Sequence, residues 1–173
     1  HKYGQEGVRA IRTTTSQDFM HWDEPVDLEY TGAPPEEHLY TNAVRPYERA
    51  PHLFVGFPKR FVPSRKSPSG HQLAGVSDAV FMSSRDGVHF HRWGEAFIRP
   101  GPQLNRWVNR NNFVSWGILE TPASMPGMPN ELSLYVTEGY YSGPDSRLRR
   151  YTIRQDGFVS VNAPLSGGEM ITK

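Results

Sequence analysis

Residues 84–90 read Ser-Arg-Asp-Gly-Val-His-Phe, and the same pattern of Ser, Asp, His and a final aromatic residue occurs 68 residues earlier, at 16–22. A weaker copy, Arg-Gln-Asp-Gly-Phe, occupies residues 154–158. Asp-Gly between two strand-like runs is a strong signal for a β-hairpin, because Gly adopts a positive φ and Asp hydrogen-bonds to its own turn. We therefore predict hairpin turns at three positions: Asp18, Asp86 and Asp156.

The spacing of these copies predicts the architecture. Each copy lies between two short runs that are typical of strands, and two further strand-like runs separate one copy from the next. Four strands that repeat every 68–70 residues are typical of a β-propeller blade. The predicted fold class is all-β, with antiparallel four-stranded blades of a β-propeller. The blade boundaries are half a blade at 1–31, full blades at 40–99 and 113–163, and an exit tail at 164–173 toward a missing C-terminal segment.

The composition fits one domain and excludes several kinds of site. The 173 residues include no Cys, which removes disulfides, thiolate metal sites and a cysteine nucleophile. A net charge of +1 gives no strong attraction for nucleic acid or an acidic membrane, and no apolar run is long enough to span a bilayer. No phosphate loop or other cofactor motif is present, so no cofactor or metal is expected. The 15 Arg against 4 Lys favour bidentate contacts with carboxylates.

The repeated turn resembles that of five-bladed propeller glycoside hydrolases of the invertase and arabinanase type. Members of glycoside hydrolase family 32 are expected to carry W-x-N-D-P, R-D-P and E-C-P motifs. In this chain Glu120-Thr121-Pro122 lies where E-C-P would fall. Arg45-Pro46 lies where R-D-P would fall, but without its Asp, and Glu48 follows instead. The W-x-N-D-P motif is absent, which a missing N-terminal segment would explain.

This resemblance implies a glycoside hydrolase that acts on a poly- or oligosaccharide with a carboxylate acid/base site on the propeller axis. It also implies a secreted or periplasmic location. The low net charge and the lack of a long apolar run predict no nucleic-acid or membrane partner. The half blade at 1–31 would leave a strand edge unpaired, so we expect packing against missing blades of the same protein or of a partner chain. The alternative is a non-catalytic carbohydrate-binding or scaffold β-propeller. The missing Asp after Arg45 favours this alternative, whereas Glu120 favours the enzyme.

The predicted catalytic residues are Glu120, as the general acid, and Asp78. Retaining glycosidases need two carboxylates about 5 Å apart. Asp78 begins a predicted strand after the loop at 58–77, and we expect Glu120 to lie on the face that Asp78 shares with Glu138. The structural alternatives are a strand-end Glu paired with an Arg and an Asp that caps its strand.

Six further residues are predicted to contact the sugar, either by polar contacts or by stacking on its apolar C–H faces. Each Trp could instead fill the space between blades, and Glu48 could be a solvated loop residue. The predicted substrate-binding residues are Arg45, Glu48, Trp107, Trp116, Glu138 and Tyr140.

For three other groups of residues a functional role is conceivable, but the sequence pattern favours a structural one. The repeated Asp residues could bind calcium, but their recurrence favours a turn role, on the face opposite to the site. His89 and His91 share one face of a strand and could bind a metal, but His89 matches His21, so a repeated structural position is favoured. The basic run at 147–150 could attract anions, but alternation along a strand near a sheet edge favours a solvated face.

Overall fold

A computed structural model describes residues 2–3, 7–32, 37–68, 74–140 and 143–171. Strands account for 42% of the residues and helices for 3%, which confirms the predicted all-β class. The helical residues form two short 3₁₀ turns, Leu104–Arg106 and Gly143–Asp145. The strands are β1 (Lys2–Tyr3), β2 (Arg9–Ala10), β3 (Arg12–Thr13), β4 (Val26–Asp27), β5 (Glu29–Thr31), β6 (His38–Leu39), β7 (Arg45–Tyr47), β8 (Ala50–Gly56), β9 (Lys59–Val62), β10 (Val76–Ser84), β11 (His89–Ile98), β12 (Phe113–Val114), β13 (Leu119–Thr121), β14 (Glu131–Glu138) and β15 (Arg147–Arg154).

The larger sheet has seven strands, with the path β5-β11-β10-β8-β7 and with β9 and β6 attached beside β10. Within it, β7, β8, β10 and β11 follow one another as an antiparallel meander. This order agrees with the four strands predicted between residues 40 and 99. The smaller sheet has β14 at its centre, β15 on one side, and β12 and β13 on the other, all antiparallel.

The structure differs in two ways from the predicted separate, antiparallel blades: one strand pairs in parallel with the larger sheet, and one predicted strand does not form. Strand β5 pairs with β11 in parallel, so this part of the predicted half blade extends the larger sheet. Residues 158–161 form no strand beside β15. The reason is that Phe158 turns into the core, where its ring stacks on Phe81 at 5.1 Å and 7°. The smaller sheet therefore lacks its predicted fourth strand.

The core lies on both faces of β10, because successive side chains of a strand point to opposite faces. Ala79 and Phe81 pack with residues of the smaller sheet, including Leu132 and Leu134. Val80 and Met82 face the other way, where they pack with apolar residues from the N-terminal strands and loops and from β11. The larger sheet is thus covered on both faces, which explains why β10 reads as a nearly continuous buried run.

The predicted hairpin turns at Asp18 and Asp86 are confirmed, and they share one hydrogen-bond pattern. In the second turn, Ser84 Oγ accepts from the backbone N–H groups of Asp86 and Gly87 at 3.2 and 2.9 Å. Asp86 Oδ1 accepts from the N–H groups of Val88 and His89 at 2.9 and 2.8 Å, and Asp86 Oδ2 contacts His89 Nδ1 at 2.7 Å. These bonds hold the pKa of Asp86 below its ordinary value, and the bond to Asp86 raises the pKa of His89.

The first turn repeats these contacts between Ser16, Asp18 and His21. The bond from His21, followed by those from backbone N–H groups, lowers the pKa of Asp18 to about 2. The structural role predicted for His89 is therefore confirmed, since it closes the turn as His21 does. Phe19 occupies the positive-φ position that Gly87 fills in the second turn.

The prediction that Asp156 forms a third such turn is wrong. Arg154 and Val159 stand where the other copies have Ser and His, so the two side chains that fold the carboxylate back onto its own turn are missing. Asp156 instead accepts a hydrogen bond from the Tyr47 hydroxyl at 2.5 Å and from Arg49 Nε at 3.1 Å. Its carboxylate ties the end of β15 to the larger sheet.

Candidate functional site

The register of β14 separates Glu120 from Glu138. Glu120 lies opposite Leu132, near the start of β14, and Glu138 ends the same strand six residues later. At about 3.4 Å per residue, the two carboxylates lie at sites about 20 Å apart. The expectation that Glu120 shares a face with Glu138 is therefore wrong.

Asp78 lies at the Glu138 end of the molecule. Its neighbour Ser77 contacts the backbone oxygen of Asn111 at 2.9 Å, and Asn111 Oδ1 accepts from Gly139 N at 2.8 Å. These bonds join the start of β10 to the end of β14. Asp78 and Glu120 therefore cannot supply the two carboxylates of one retaining glycosidase centre, which must lie about 5 Å apart.

The carboxylate of Asp78 is enclosed by guanidinium groups. Arg60, directly opposite in β9, donates from Nε and Nη2 to its two oxygens at 2.8 Å each, and Arg65 Nη1 adds a third bond at 2.7 Å. Arg60 also donates to Glu37 at 2.9 Å, and Glu37 pairs with Arg92. We call these five residues the Asp78 cluster. A buried carboxylate needs such partners, because its charge is costly to remove from water.

Glu138 is buried in the same manner and is bound by three arginines. Arg106 Nη2 lies 2.7 Å from Oε1, Arg147 Nε 2.7 Å from Oε2, and Arg149 Nε 2.8 Å from Oε1. Tyr151 donates a further bond at 3.0 Å. Burial by itself raises the pKa of Glu138, but the bonds from Arg149, Arg147 and Tyr151 outweigh it and hold the pKa below its ordinary value. We call these five residues the Glu138 cluster.

An open groove of about 680 Å³ lies beside the Asp78 cluster and is lined at one end by Trp107. Trp107 is 37% exposed, and its Nε1 donates to Gly101 O at 2.7 Å, which fixes the ring in place. Polar groups on the groove include Arg65, Arg99 and Glu95. We call this feature the Trp107 groove. It combines a fixed aromatic surface with a few charged groups, as small-molecule sites commonly do.

A second and much smaller cleft, with free space of about 10 Å³, roughly enough for one water molecule, lies at the other end and is lined by Glu120. Glu120 is exposed, and its Oε1 accepts from Asn130 Nδ2 at 2.7 Å. The walls include Arg45 and Glu48, whose side chains pair at 2.6 Å, and Tyr47. We call this feature the Glu120 cleft. It brings together three of the predicted site residues.

The edge of the Glu120 cleft continues to Trp116 and Asp156. The guanidinium of Arg45 lies 5.2 Å from the centre of the Trp116 ring, which is 70% exposed. Burial and the bond to Asp156 raise the pKa of Tyr47 to about 12. Asp156, which we predicted to face away from the site, thus contacts a wall of this cleft.

Tyr140 belongs to neither feature in this arrangement. Its ring lies 5.4 Å from that of Phe113, and its backbone N–H donates to Arg110 O at 2.9 Å. It comes one residue after Gly139, which is tied to Asn111. Tyr140 therefore packs beside the loop that connects the two sheets, near the Glu138 end.

No protein-family model, curated protein or solved structure matches this chain. Within the described ranges, no three His, Asp or Glu side chains come together as a set of metal ligands. Among those same residues, no helix reaches the length and apolarity that crossing a membrane requires.

The sequence analysis did not identify the arginines that form ion pairs with the two buried carboxylates. Residues 147, 148 and 150 are exposed, as predicted for a solvated face, but Arg147 and Arg149 also bond Glu138, whereas Arg150 bonds Ser133 on the other side of the sheet. The excess of Arg over Lys was the available signal. It indicates bidentate ion pairs, but it does not say which carboxylate receives them.

Proposed function

We propose that this chain is a carbohydrate-binding β-propeller module that holds an oligosaccharide in the Trp107 groove without cleaving it. The observation that carries the proposal is the contrast between the open groove with its fixed indole and the closed carboxylates beside it. The apolar C–H face of a sugar ring stacks on an indole. The charged groups along the groove can bind hydroxyls.

The state of the carboxylates favours binding over hydrolysis at this end. A general acid at a glycosidic bond works best with a raised pKa. Glu138 has the opposite shift, because three arginines and Tyr151 stabilise its charged form. Asp78 accepts three hydrogen bonds from Arg60 and Arg65, so its oxygens are committed to structure.

Hydrolysis at the Glu120 cleft is the second candidate function. Glu120 and Glu48 both line this cleft and are both exposed, which supports a two-carboxylate mechanism at this end. Under this proposal Glu120 is the general acid, and the enzyme belongs to the glycoside hydrolase type that the turn motif resembles. Either function suits a secreted or periplasmic protein.

We also propose that further propeller blades, from the same protein or from a partner chain, cover the first hairpin. Phe19, Met20 and Trp22 expose most of their apolar surface at its tip, which supports a packing role. Replacing Phe19 and Trp22 with Ser would then weaken self-association or partner binding in sedimentation experiments, with little loss of stability. Unchanged association would contradict this packing role.

The binding proposal can be tested with matched tryptophan variants and a panel of neutral and charged oligosaccharides. Trp107→Ala should weaken binding about tenfold or more, because the stacking surface is lost, and Trp107→Phe should restore part of it. Trp116→Ala is the control, since Trp116 is more exposed but lies at the other end. Equal losses from both variants, or no binding by the wild type, would overturn the proposal.

A further inference from the structure

Two arginines of β15 present unused donors to solvent. Arg147 and Arg149 lie two residues apart, on the same face of the strand, and each bonds Glu138 through Nε alone. Their terminal nitrogens make no hydrogen bond with the described residues, and the side chains are 44% and 42% exposed. Each guanidinium therefore keeps the forked end that binds a carboxylate, sulfate or phosphate in a bidentate manner.

The charge of the Glu138 cluster also favours an anion. Arg106, Arg147 and Arg149 bring three positive charges, and among the described residues only Glu138 forms ion pairs with them. Arg106 is buried, and its Nε has no hydrogen-bond partner among the described residues. An oxyanion beside Arg147 and Arg149 would compensate the excess without displacing Glu138.

This cluster adjoins the end of the Trp107 groove. Gly101, which accepts the Trp107 indole bond, packs so closely on Arg106 that an added Cβ would lie 2.9 Å from Nη1. Arg106 in turn holds Glu138 between Arg147 and Arg149. Arg106 therefore links the Trp107 end of the groove to the cluster that contains Arg147 and Arg149.

We propose that Arg147 and Arg149 bind the carboxylate of an acidic sugar, so that the ligand of the groove is an oligosaccharide containing uronic acid. This inference rests on the proposed function, since it assigns the chemical class of the sugar held in the Trp107 groove. Arg147 and Arg149 supply the charge contact, and Trp107 supplies the stacking contact.

The test compares uronic acid oligosaccharides with neutral oligosaccharides of equal length by calorimetry, together with inorganic sulfate. The variant Arg147→Gln/Arg149→Gln removes both charges but keeps a polar side chain that can donate hydrogen bonds at each position. Arg154→Gln is the matched control, because it lies on the same strand with its side chain on the opposite face. Circular dichroism establishes that all variants are folded.

The wild type should bind uronic acid oligosaccharides more tightly than neutral ones, and added salt should reduce the difference. The double variant should lose about tenfold to hundredfold in affinity for the acidic ligands while its affinity for neutral ones is unchanged. Arg154→Gln should stay within about twofold of the wild type.

Three outcomes would overturn the inference, and they separate it from the proposed function. Equal binding of neutral and acidic ligands would overturn the acidic class and leave sugar binding in place. Binding of sulfate alone, lost in the double variant, would show an inorganic anion site rather than a sugar site. No binding of any oligosaccharide would overturn the proposed function itself, and this inference with it.

Discussion

The carboxylates at one end of the two sheets are buried and bound by arginines, whereas those at the other end are exposed to solvent. At one end, Asp78 and Glu138 are buried, and arginines bind both of their oxygens. At the other end, Glu48 and Glu120 are exposed to solvent beside the narrow Glu120 cleft, and Glu120 accepts a hydrogen bond from the neutral Asn130 amide. The difference follows from burial, because only a carboxylate removed from water requires a positive partner to keep its charge.

A carboxylate at the end of a strand is therefore not by itself evidence of a catalytic group. Asp78 and Glu138 have the positions expected of site residues, but their charges stabilise the fold. Glu120 is free to take part in a reaction, but Asp78, the second catalytic carboxylate predicted with it, lies at the opposite end of the molecule, beside the end of β14. Substitutions that remove one charge at each end test the contrast directly.

The largest effect is expected at the Asp78 cluster. Asp78→Asn leaves the buried Arg60 without its bidentate partner, and breaking a buried pair in this way should lower the free energy of unfolding by about 3–5 kcal/mol. Glu120→Gln should change it by no more than about 0.5 kcal/mol, as for other surface substitutions. Urea unfolding of both variants gives the comparison, and equal losses would remove the distinction between the two ends.

A second prediction concerns Lys59, a buried cation for which the described residues offer no ion pair. Its Nζ lies 4.3 Å from the Phe113 ring centre, and burial, followed by repulsion from Arg9 and Arg110, lowers its pKa to about 8. Lys59→Met should raise the free energy of unfolding at pH 7 by about 2–3 kcal/mol, because the buried charge is removed.

The pH dependence of the wild type supplies the control for Lys59. The pKa of about 8 in the folded protein lies below the ordinary 10.5, so the unfolded chain holds the proton that the folded chain releases. Stability should therefore rise with pH between about 8 and 10.5, and this rise should be absent in Lys59→Met. Parallel stability curves for the two proteins would show that Lys59 keeps its ordinary pKa.

The smallest effect is expected at the turns. Asp86→Ala removes the acceptor of two backbone N–H groups and of His89, and should lower Tm by about 2–4 °C without changing oligosaccharide affinity. Asp156→Ala should act differently, because it releases Tyr47 and Arg49 at the Glu120 cleft. Thermal melts with and without ligand distinguish the two, and a loss of affinity in Asp86→Ala would contradict the placement of its turn.

Much of the fold could be predicted because it depends on local patterns. The Ser, Asp and His of the first two turns bond only to each other and to their own backbone, so a heptapeptide suffices to predict them. The nearly continuous buried run of β10 is local in the same sense. The prediction of the third turn is wrong because Asp156 is bound by residues that lie more than a hundred positions away in the sequence.

The candidate site could not be predicted in the same way, because its geometry depends on strand register. The sequence does not reveal that Glu120 lies opposite Leu132 rather than near Thr137, and this choice moves it from one end of the sheet to the other. The partners of Glu138 come from a loop and from the following strand, so the sequence could not predict how completely its charge is neutralised.

Measuring binding and cleavage in one sample tests most directly whether the chain holds an oligosaccharide in the Trp107 groove without cleaving it. The chain is incubated with the oligosaccharide that it binds most tightly in the panel, and calorimetry is followed by chromatography of the products. We predict saturable binding that depends on Trp107, with no release of shorter sugars by the wild type or by Glu120→Gln. If the wild type released shorter sugars and Glu120→Gln did not, binding without cleavage would be contradicted and a glycosidase at the Glu120 cleft would be established.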